Sequence, residues 1–448
     1  MELDMTKGNP FKLIVKFLVP IFIGNVFQQF YNMADTIIVG RFVGVQALAA
    51  VGATGTIMFL ILGFMMGLST GFTVLTAQRF GAGDIEGVKK SVGNGAVLSA
   101  MIAILLTIIS IGCMDGLLRL MNTPEDIFQD AKNYIVIICA GIGCSVLYNF
   151  TASILRAVGN SKVPLYFLII SAALNIVLDL VFILQFSLGV AGAALATVAS
   201  QGISGILCLI YIIKKVPLLN IQKEHIALDW YCVRNQLFIG VPMALQFSIT
   251  AVGAIVLQGA LNLLGSTVVA AYTAAGKVEQ VLTQGYGALG MTMATYSAQN
   301  RGVNDLERIK AGTRQANLIS AVYSIVAAVL GILLMPYLIR LFVSGDTSHI
   351  LGYANTYITV CAVCFIPLGM IFIFRNVLQG AGFSLMPMMA GVIELFSRAI
   401  VAFIAAHYQS YLGVCIANVT AWVTAGVFLW IVYIVTMRKL CRQTKLTM

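Results

Sequence analysis

Charged residues are scarce in this sequence. Asp, Glu, Lys and Arg make up only 10% of its 448 residues and 60% are hydrophobic, whereas an ordinary soluble domain carries roughly 25% charged residues. So few charges cannot cover a water-exposed surface. Long apolar runs of the kind that cross a lipid bilayer follow one another along the chain. We therefore expect a polytopic membrane protein.

Motifs for several kinds of enzyme chemistry are also missing. The chain has no Gly-x-x-x-x-Gly-Lys-Ser/Thr loop for nucleotide phosphates and no His-Glu-x-x-His zinc motif. Its three histidines lie far apart, and its nine cysteines are scattered. We therefore expect neither ATP-driven transport nor catalysis by this chain, and no resident cofactor.

The net charge of +10 falls in short clusters between apolar runs. No basic stripe interleaved with aromatic residues occurs, so we expect no nucleic-acid partner. The Lys and Arg residues lie mainly on alternate connections, which is the distribution that the positive-inside rule gives to cytoplasmic loops. With an even number of spans, this pattern predicts that both termini are cytoplasmic.

Hydropathy predicts twelve helical spans in two sets of six. Their approximate bounds are 11–40, 48–78, 91–113, 131–155, 163–186 and 189–213, then 236–264, 268–298, 314–343, 354–378, 386–407 and 411–437. The predicted fold class is an all-α membrane protein of two pseudo-symmetric six-helix bundles. The first bundle covers 1–213, a cytoplasmic linker covers 214–235, and the second bundle with a cytoplasmic tail covers 236–448.

The two halves repeat in sequence at a nearly constant shift. The matching landmarks are Pro20 with Pro242, Ala77-Gln-x-x-Gly81-x-x-Asp84 with Ala298-Gln-x-x-Gly302-x-x-Asp305, Tyr134-Ile with Tyr357-Ile, and Leu155-x-x-x-Gly159-x-Ser161-x-x-Pro164 with Leu378-x-x-x-Gly382-x-Ser384-x-x-Pro387. An even number of spans per half gives both halves one orientation, related by an axis along the membrane normal with a substrate path between them. This plan is typical of transporters, although a duplicated channel or membrane enzyme would repeat in the same way.

Charged side chains inside spans are costly and usually have a partner or a task. In the first half they are Asp35 and Asp179, and Asn175 lies one helical turn before Asp179 on the same face. Counting at about 1.5 Å per residue places Asp35, Asp179 and Thr197 at a similar depth. Carboxylate, amide and hydroxyl oxygens suit a hard cation, and a carboxylate removed from water suits a proton. We predict a site for Na⁺ or H⁺; hydrogen bonds that merely join helices are the alternative.

The second half is not a chemical copy of the first. Its intramembrane charges are Lys277, Glu279, Arg375, Glu394 and Arg398. The i,i+4 spacing predicts an ion pair between Glu394 and Arg398, while Lys277 and Glu279 lie on different helix faces. Arg375 sits near a cytoplasmic end, where we expect it to snorkel. We interpret this polar network as mainly structural, with a role in transport as the alternative.

Two further patterns occur in the first two spans. Phe27, Phe30, Tyr31 and Met33 are candidate cavity-lining residues, with lipid or core contact as the alternative for each. The series Gly63-x-x-x-Gly67-x-x-x-Gly71 places small residues on one helix face, so it predicts close contact with a neighbouring helix.

In order and spacing, these motifs resemble the multidrug and toxic compound extrusion (MATE) transporters, and in particular their DinF-type branch. The residues that carry the resemblance are Tyr31-Asn-Met-Ala-Asp-Thr36, the paired Ala-Gln-x-x-Gly motifs, Leu155-Arg-Ala-Val-Gly-Asn160-Ser-Lys-Val-Pro164 and Asn175-Ile-Val-Leu-Asp179. The resemblance runs from Pro20 to the last span.

The resemblance implies a V-shaped pair of six-helix bundles around a central cavity. It implies a monomeric antiporter of the prokaryotic plasma membrane that exports amphipathic, often cationic small molecules in exchange for Na⁺ or H⁺. It also carries a cation-coupling role onto Asp35, Asn149, Asn175, Asp179 and Thr197, of which all but Asn149 are candidate Na⁺ ligands. Asn149 fits less well, because counting places it nearer the cytoplasmic end of the fourth span. A second branch uses acids in the seventh and tenth spans, and this sequence has none there.

Other functions remain open at this point. A lipid-linked oligosaccharide flippase of the same superfamily is the main alternative, but such proteins often have extra spans and a more cationic cavity. A channel would require a continuous polar pore, whereas the polar residues here cluster. A membrane enzyme would require a catalytic constellation that the sequence does not contain.

Overall fold

The computed structural model describes residues 3–121, 123–342 and 348–447, and within these ranges the chain is helical with no β-strand. The α-helices are α1 (Pro10–Phe42), α2 (Val45–Gly81), α3 (Ile85–Leu120), α4 (Glu125–Ala140), α5 (Ile142–Ala157), α6 (Lys162–Leu180), α7 (Gly189–Lys215), α8 (Lys223–Ile226), α9 (Trp230–Asn262), α10 (Ser266–Leu282), α11 (Gln284–Gly302), α12 (Leu306–Phe342), α13 (Ser348–Val363), α14 (Phe365–Gly380), α15 (Leu385–His407) and α16 (Tyr411–Thr447). A π-helical segment, Val181–Gln185, continues α6, and a 3₁₀ turn, Pro217–Leu219, follows α7.

The membrane spans follow from helix length and hydropathy. In the described ranges, nine helices are long and apolar enough to cross a bilayer, or eleven when each of the bent pairs α4–α5 and α13–α14 counts as one span. These eleven coincide with eleven of the predicted spans. The predicted span 268–298 falls on α10 and α11, and α11 is rich in Gly, Thr, Gln and Ser rather than in long apolar side chains. The all-α polytopic fold class is confirmed.

The two bends occupy equivalent positions in the repeat. The helix axis turns by 47° between α4 and α5 and by 52° between α13 and α14. At each bend a backbone N–H bonds to the carbonyl three residues earlier: Cys144 to Gly141 and Cys364 to Cys361, both at 3.0 Å. A local shift from four-residue to three-residue spacing tightens the helix and redirects its axis. The repeat therefore extends from sequence to helix geometry.

The duplicated Ala-Gln-x-x-Gly-x-x-Asp motif forms a helix–turn–helix connection in each half. Asp84 and Asp305 each accept a hydrogen bond from the backbone N–H three residues later, at 2.8 and 2.9 Å. Such a bond satisfies a donor that the first helical turn leaves unpaired. The residue before each Asp has a left-handed backbone, with φ of 74° at Gly83 and 57° at Asn304, where glycine and asparagine carry the smallest penalty. The conserved spacing between halves is thus explained by helix capping.

By contacts the chain divides into two compact units. Unit 1 comprises Met1–Asp4 and Val19–Phe247, and unit 2 comprises Met5–Leu18 and Ser248–Met448. These units differ from the predicted halves, because the start of α1 belongs to unit 2 and the first part of α9 belongs to unit 1. Helix α16 continues beyond the predicted last span to Thr447.

The predicted linker 214–235 is a folded part of unit 1. Helix α9 already begins at Trp230, and the short helix α8 packs against α3. His225 is fully buried, with Nε2 2.9 Å from Glu86 Oε1. The Asn94 side chain donates to the Ala227 carbonyl at 3.2 Å and accepts from the Asp229 N–H at 2.8 Å. These hydrogen bonds hold the predicted linker against α3.

The glycine series of α2 makes the close contact that its spacing predicts. A Cβ added to Gly71 would lie 2.4 Å from the Gly240 Cα on α9, and one added to Gly67 would lie 2.7 Å from the Ala244 Cα. Real Cβ atoms do not approach so closely. The contact between α2 and the unit 1 part of α9 therefore requires glycine at positions 67 and 71.

Candidate functional site

The two acids of the first half meet inside unit 1. Asp35 lies on α1 and Asp179 on α6, and their carboxyl groups lie within hydrogen-bonding reach of each other. Asp179 is fully buried and Asp35 is half-buried. One oxygen of each carboxyl, Oδ1, is buried without a hydrogen-bond partner among the described residues. The predicted meeting of these acids is confirmed, whereas their role in coupling stays a prediction.

Asn175 and Thr197 complete the immediate surroundings of Asp179. Asn175 is fully buried one turn before Asp179 on α6. In the orientation that satisfies both polar atoms, the Asn175 amide nitrogen donates to Asp179 Oδ2 at 3.2 Å and its oxygen accepts from the Thr197 N–H at 3.3 Å. These bonds join α6 to α7 beside the carboxyl pair.

The helix changes form directly after Asp179. Residues Val181–Gln185 are π-helical, and the Phe186 N–H bonds to the Val181 carbonyl five residues earlier at 3.2 Å. Such segments are rare and occur frequently at functional sites. The wider turn gives the end of α6 a path different from that of a regular helix.

A polar cavity adjoins the carboxyl pair through Tyr31. Its volume is about 30 Å³, and it is lined by Gln28, Tyr31, Tyr148, Asn149, Leu168, Ser171, Ala172 and Gln201. The Tyr31 side chain lies within reach of the Thr197 and Gln201 side chains. The Ser145 hydroxyl donates to the Gln201 amide oxygen.

Asn149 is a member of this cavity, not of the carboxyl pair. Its amide donates to the Ser145 carbonyl at 2.8 Å, and its side chain is half-buried. This placement agrees with the position of Asn149 along α5, which counting puts nearer the cytoplasmic end of the span than the acids. Tyr31 and Gln201 connect the two regions.

Sequence reasoning missed Tyr134, Gln201 and Ser145 as members of the site. Tyr134 on α4 is buried, and the charges of both Asp35 and Asp179 act on its hydroxyl. A signal was present, because Tyr134 and Tyr357 are matching landmarks of the repeat. In unit 2 the Tyr357 hydroxyl donates to Glu279 Oε2 at 3.3 Å. In both units the charge of an intramembrane acid thus acts on the equivalent tyrosine.

The candidate cavity-lining residues of α1 have different environments. Tyr31 lines the cavity described above, whereas Phe27, Phe30 and Met33 do not. Those three side chains are between 38% and 60% exposed. Cavity lining by them stays a prediction.

Three of the charged residues of the second half form a buried cluster in unit 2. Arg375 Nη2 lies 3.0 Å from Glu394 Oε2, and Arg398 Nη2 lies 3.3 Å from Glu394 Oε1. The pair predicted from i,i+4 spacing is confirmed. The snorkelling predicted for Arg375 is wrong, because this side chain is only 7% exposed and reaches across from α14 to the carboxylate on α15.

The remaining two charges are separate from this cluster. Glu279 on α10 accepts a hydrogen bond from the Tyr357 hydroxyl. In the same unit, the Tyr272 hydroxyl accepts a hydrogen bond from the Asn418 amide at 2.8 Å. Lys277 is exposed and makes no ion pair with any described residue. The five charges therefore do not form one network.

The electrostatics of the Asp35–Asp179 pair define what it can bind. Neither carboxyl makes an ion pair with a Lys or Arg among the described residues, and the charge of Asp35 acts on Asp179. Two carboxylates in contact and away from water repel strongly, so they coexist only when a proton or a cation lies between them. The described residues bring no three His, Cys, Asp or Glu side chains together, so the oxygens of Asn175 and Thr197 would have to complete a cation's shell. Such an arrangement of oxygens can chemically hold a proton or a monovalent cation, and the coupling role of the pair stays a prediction.

The comparison with known families agrees with the repeat and the fold. The sequence profile of the MatE family matches residues 20–181 and again residues 242–404, which together cover more than half of the chain. The chain therefore belongs to the MatE family of membrane transporters. The double match starts at the paired prolines Pro20 and Pro242 and confirms the internal duplication.

Individual relatives fit the same family. The chain is 29% identical over 394 residues to "Probable multidrug resistance protein YpnP" of Bacillus subtilis, covering 88% of this chain and 87% of that protein. It is 24% identical over 323 residues to "DNA damage-inducible protein F" of Escherichia coli, covering 70% of this chain and 69% of that protein. A solved outward-facing structure of a multidrug resistance MATE family transporter superimposes with a TM-score of 0.92 at 23% identity, covering 98% of both chains. That structural likeness establishes the fold, and the resemblance to MATE transporters is confirmed.

Proposed function

We propose that this protein is a secondary antiporter that exports amphipathic, often cationic compounds in exchange for Na⁺ or H⁺. Membership of the MatE family supports transport, and the names of relatives support multidrug export. The observation that carries the coupling is the contact between Asp35 and Asp179 inside otherwise apolar helices. The distribution of Lys and Arg supports a plasma-membrane location with both termini cytoplasmic. The working unit is a monomer in the bilayer.

The coupling ion is the binding partner that this contact requires. When the site is empty of cations, two negative carboxylates face each other in a medium of low dielectric constant, and the helices that carry them are driven apart. A proton or Na⁺ between them removes the repulsion. Because Asp35 lies on α1 and Asp179 on α6, ion binding acts on the relation between these two helices.

Asn175 offers a way for the site to accept Na⁺. Its amide nitrogen faces Asp179 in the hydrogen-bonded orientation. Rotation of the amide group by half a turn presents the oxygen instead, which is the ligand atom that a hard cation prefers. Asp35, Asp179, Asn175 and Thr197 are then the candidate Na⁺ ligands, while Asn149 contributes to the adjoining polar cavity.

Ion binding and drug binding are linked through the conformations that each favours. If the ion favours one state of unit 1 and the exported compound favours the other, an inward ion gradient drives export. Removing one carboxylate removes the difference in ion affinity between the two states. The compound can then equilibrate, but the gradient no longer drives it.

Transport by purified protein in liposomes tests this proposal. A cationic dye is loaded, and a Na⁺ gradient and a H⁺ gradient are imposed in separate experiments. We expect one gradient to drive dye movement in the wild-type protein and neither to drive it in Asp35→Asn or Asp179→Asn. Asp115→Asn is the matched control, because Asp115 is an exposed acid of the same unit, paired with Lys132 at 2.9 Å. Gradient-driven export by both site variants at the wild-type rate would disprove the assignment.

A further inference from the structure

The buried charges of unit 2 do not balance within contact distance. Arg375 and Arg398 both bind the single carboxylate of Glu394, and the three residues are 7%, 7% and 9% exposed. An uncompensated guanidinium away from water is costly, and such clusters are stable when a further anion is near. The cluster therefore carries one positive charge more than its own members neutralise.

The arginines also retain hydrogen-bonding capacity. Each guanidinium has five N–H donors. The Nε atoms of Arg375 and Arg398 are buried and have no partner among the described residues. Buried donors of this kind are normally satisfied, and in a native structure an exception indicates a missing partner. An anion with two oxygens is the partner that a guanidinium fork matches.

Glu279 is the next acid, but it does not occupy this position. The charge of Arg398 acts on Glu279, yet the two make no ion pair among the described residues, and the Glu279 carboxylate accepts its hydrogen bond from Tyr357 at 3.3 Å. Lys277, two residues earlier on α10, is exposed. Neither residue satisfies the free guanidinium donors.

The backbone of α9 leaves room for the second guanidinium. A Cβ added to Gly253 would lie 2.6 Å from Arg398 Nη1, so any other residue would displace this group. On the same helix, a Cβ added to Gly259 would meet nothing within 4 Å. Glycine at 253 thus permits the position of Arg398.

We propose that Arg375 and Arg398 form a carboxylate-binding subsite in unit 2 for exported compounds that carry a carboxylate. This inference rests on the proposed export function and assigns the place in unit 2 where the carboxylate of such a compound binds. Glu394 holds the two guanidiniums in place, and the carboxylate of the compound supplies the second negative charge. Recognition depends on the planar fork of arginine, which lysine lacks.

Export of a matched pair of dyes tests the subsite. One is a xanthene dye with a free benzoate, and the other is its methyl ester, which differs only in the carboxylate. The measured quantity is the ratio of the initial export rates, acid to ester, in proteoliposomes. We expect Arg398→Gln and Arg375→Gln each to lower this ratio about tenfold to a hundredfold, as the loss of hydrogen bonds to a charged group requires. Lys277→Gln, the loss of an exposed cation from the same unit, should leave the ratio unchanged.

The variants are chosen so that folding does not decide the outcome. Arg398→Gln leaves Arg375 paired with Glu394, so no buried charge loses its partner, and continued export of the ester reports a folded protein. Arg398→Lys keeps the charge without the fork and should give an intermediate ratio. Gly253→Ala should resemble Arg398→Gln, and Gly259→Ala should resemble the wild-type protein. A ratio within twofold of wild type in both arginine variants would overturn the subsite.

Failure of the export function has a different signature. In that case the wild-type protein exports neither dye under either gradient. Fluorescence polarisation of the acid dye with the detergent-solubilised protein then decides the subsite alone. Binding that both arginine variants weaken about tenfold or more, while Lys277→Gln does not, supports it. Equal binding by all variants, or no binding by the wild-type protein, refutes it.

Discussion

Replacement of Glu394 by glutamine tests the charge balance of unit 2. The wild-type carboxylate accepts one hydrogen bond from each of two arginines, at 3.0 and 3.3 Å, in a site that is about nine-tenths buried. Glutamine is nearly the same size but is neutral, so both guanidiniums lose their counter-charge and one loses its acceptor. Breaking a buried ion pair in this way costs about 3–5 kcal/mol.

Replacement of Arg398 by glutamine should destabilise the protein less than replacement of Glu394. Arg398→Gln removes one hydrogen bond to a charged group, worth about 1.5–3 kcal/mol, but it leaves the Arg375–Glu394 pair neutral. Desolvation of the excess positive charge is relieved at the same time, which offsets part of the loss. We therefore expect Glu394→Gln to destabilise the protein by at least twice as much as Arg398→Gln, although each variant loses one charge.

Unfolding in mixed detergent micelles measures this order. Purified wild type, Glu394→Gln, Arg398→Gln and the double variant are compared at one pH and ionic strength. Because the two residues share a hydrogen bond, the effects should not add, and the double variant should be less destabilised than the sum. If Arg398→Gln costs as much as Glu394→Gln, the cluster has no excess positive charge and the reasoning fails.

Three further predictions concern the remaining features. If Na⁺ is the coupling ion, saturating Na⁺ at about a hundred times its Kd should stabilise the wild-type protein by about 2.7 kcal/mol relative to K⁺, and Asp179→Asn should abolish this difference. Gly71→Ala should cost about 1–3 kcal/mol, because its Cβ would overlap the α9 backbone. Asp84→Ala should cost about 1 kcal/mol through loss of the α3 cap. Unfolding in mixed micelles measures all three.

The controls for these predictions lie in the same unit. Asp115→Asn should keep the Na⁺ effect, and identical stability of the wild-type protein in Na⁺ and K⁺ would favour protons instead. Gly52→Ala should be tolerated, since a Cβ there meets nothing within 4 Å; equal costs at 52 and 71 would disprove the packing argument. Asp84→Ser and Asp84→Asn keep a capping side chain and should be less destabilised than Asp84→Ala. Equal costs in all three variants would contradict the capping role.

The fold was largely predictable because its determinants are local. Apolar runs of helical length set the spans, and the repeat landmarks set their grouping, since each depends only on residues near in sequence. Asp35 and Asp179 could be paired from sequence because intramembrane carboxylates are rare and both lie at a countable depth. The extent of α9 toward Trp230 was missed, because the polar stretch before it resembles a linker until the contacts of His225, Ala227 and Asp229 with α3 are seen.

The members of the site that are not acids were beyond such reasoning. Gln201 and Ser145 are ordinary polar residues within apolar spans, and nothing in their spacing distinguishes them from helix-joining contacts. Tyr134 could have been recognised from its match with Tyr357. Arg375 was assigned to snorkelling because counting along one helix shows depth but not what the neighbouring helix presents.

The helical membrane class, the duplication and the two acids of the first half follow from local features of the sequence. Hydropathy, helix capping and the cost of a buried charge act within one segment, so they can be read without knowing its neighbours. Only the tertiary structure decided which groups meet: the carboxyl pair of α1 and α6, the cavity that Tyr31 joins to it, and the two arginines on one glutamate in unit 2. Those contacts depend on the rotation and bend of each helix against the next, where a turn of one residue, about 100°, exchanges one partner for another.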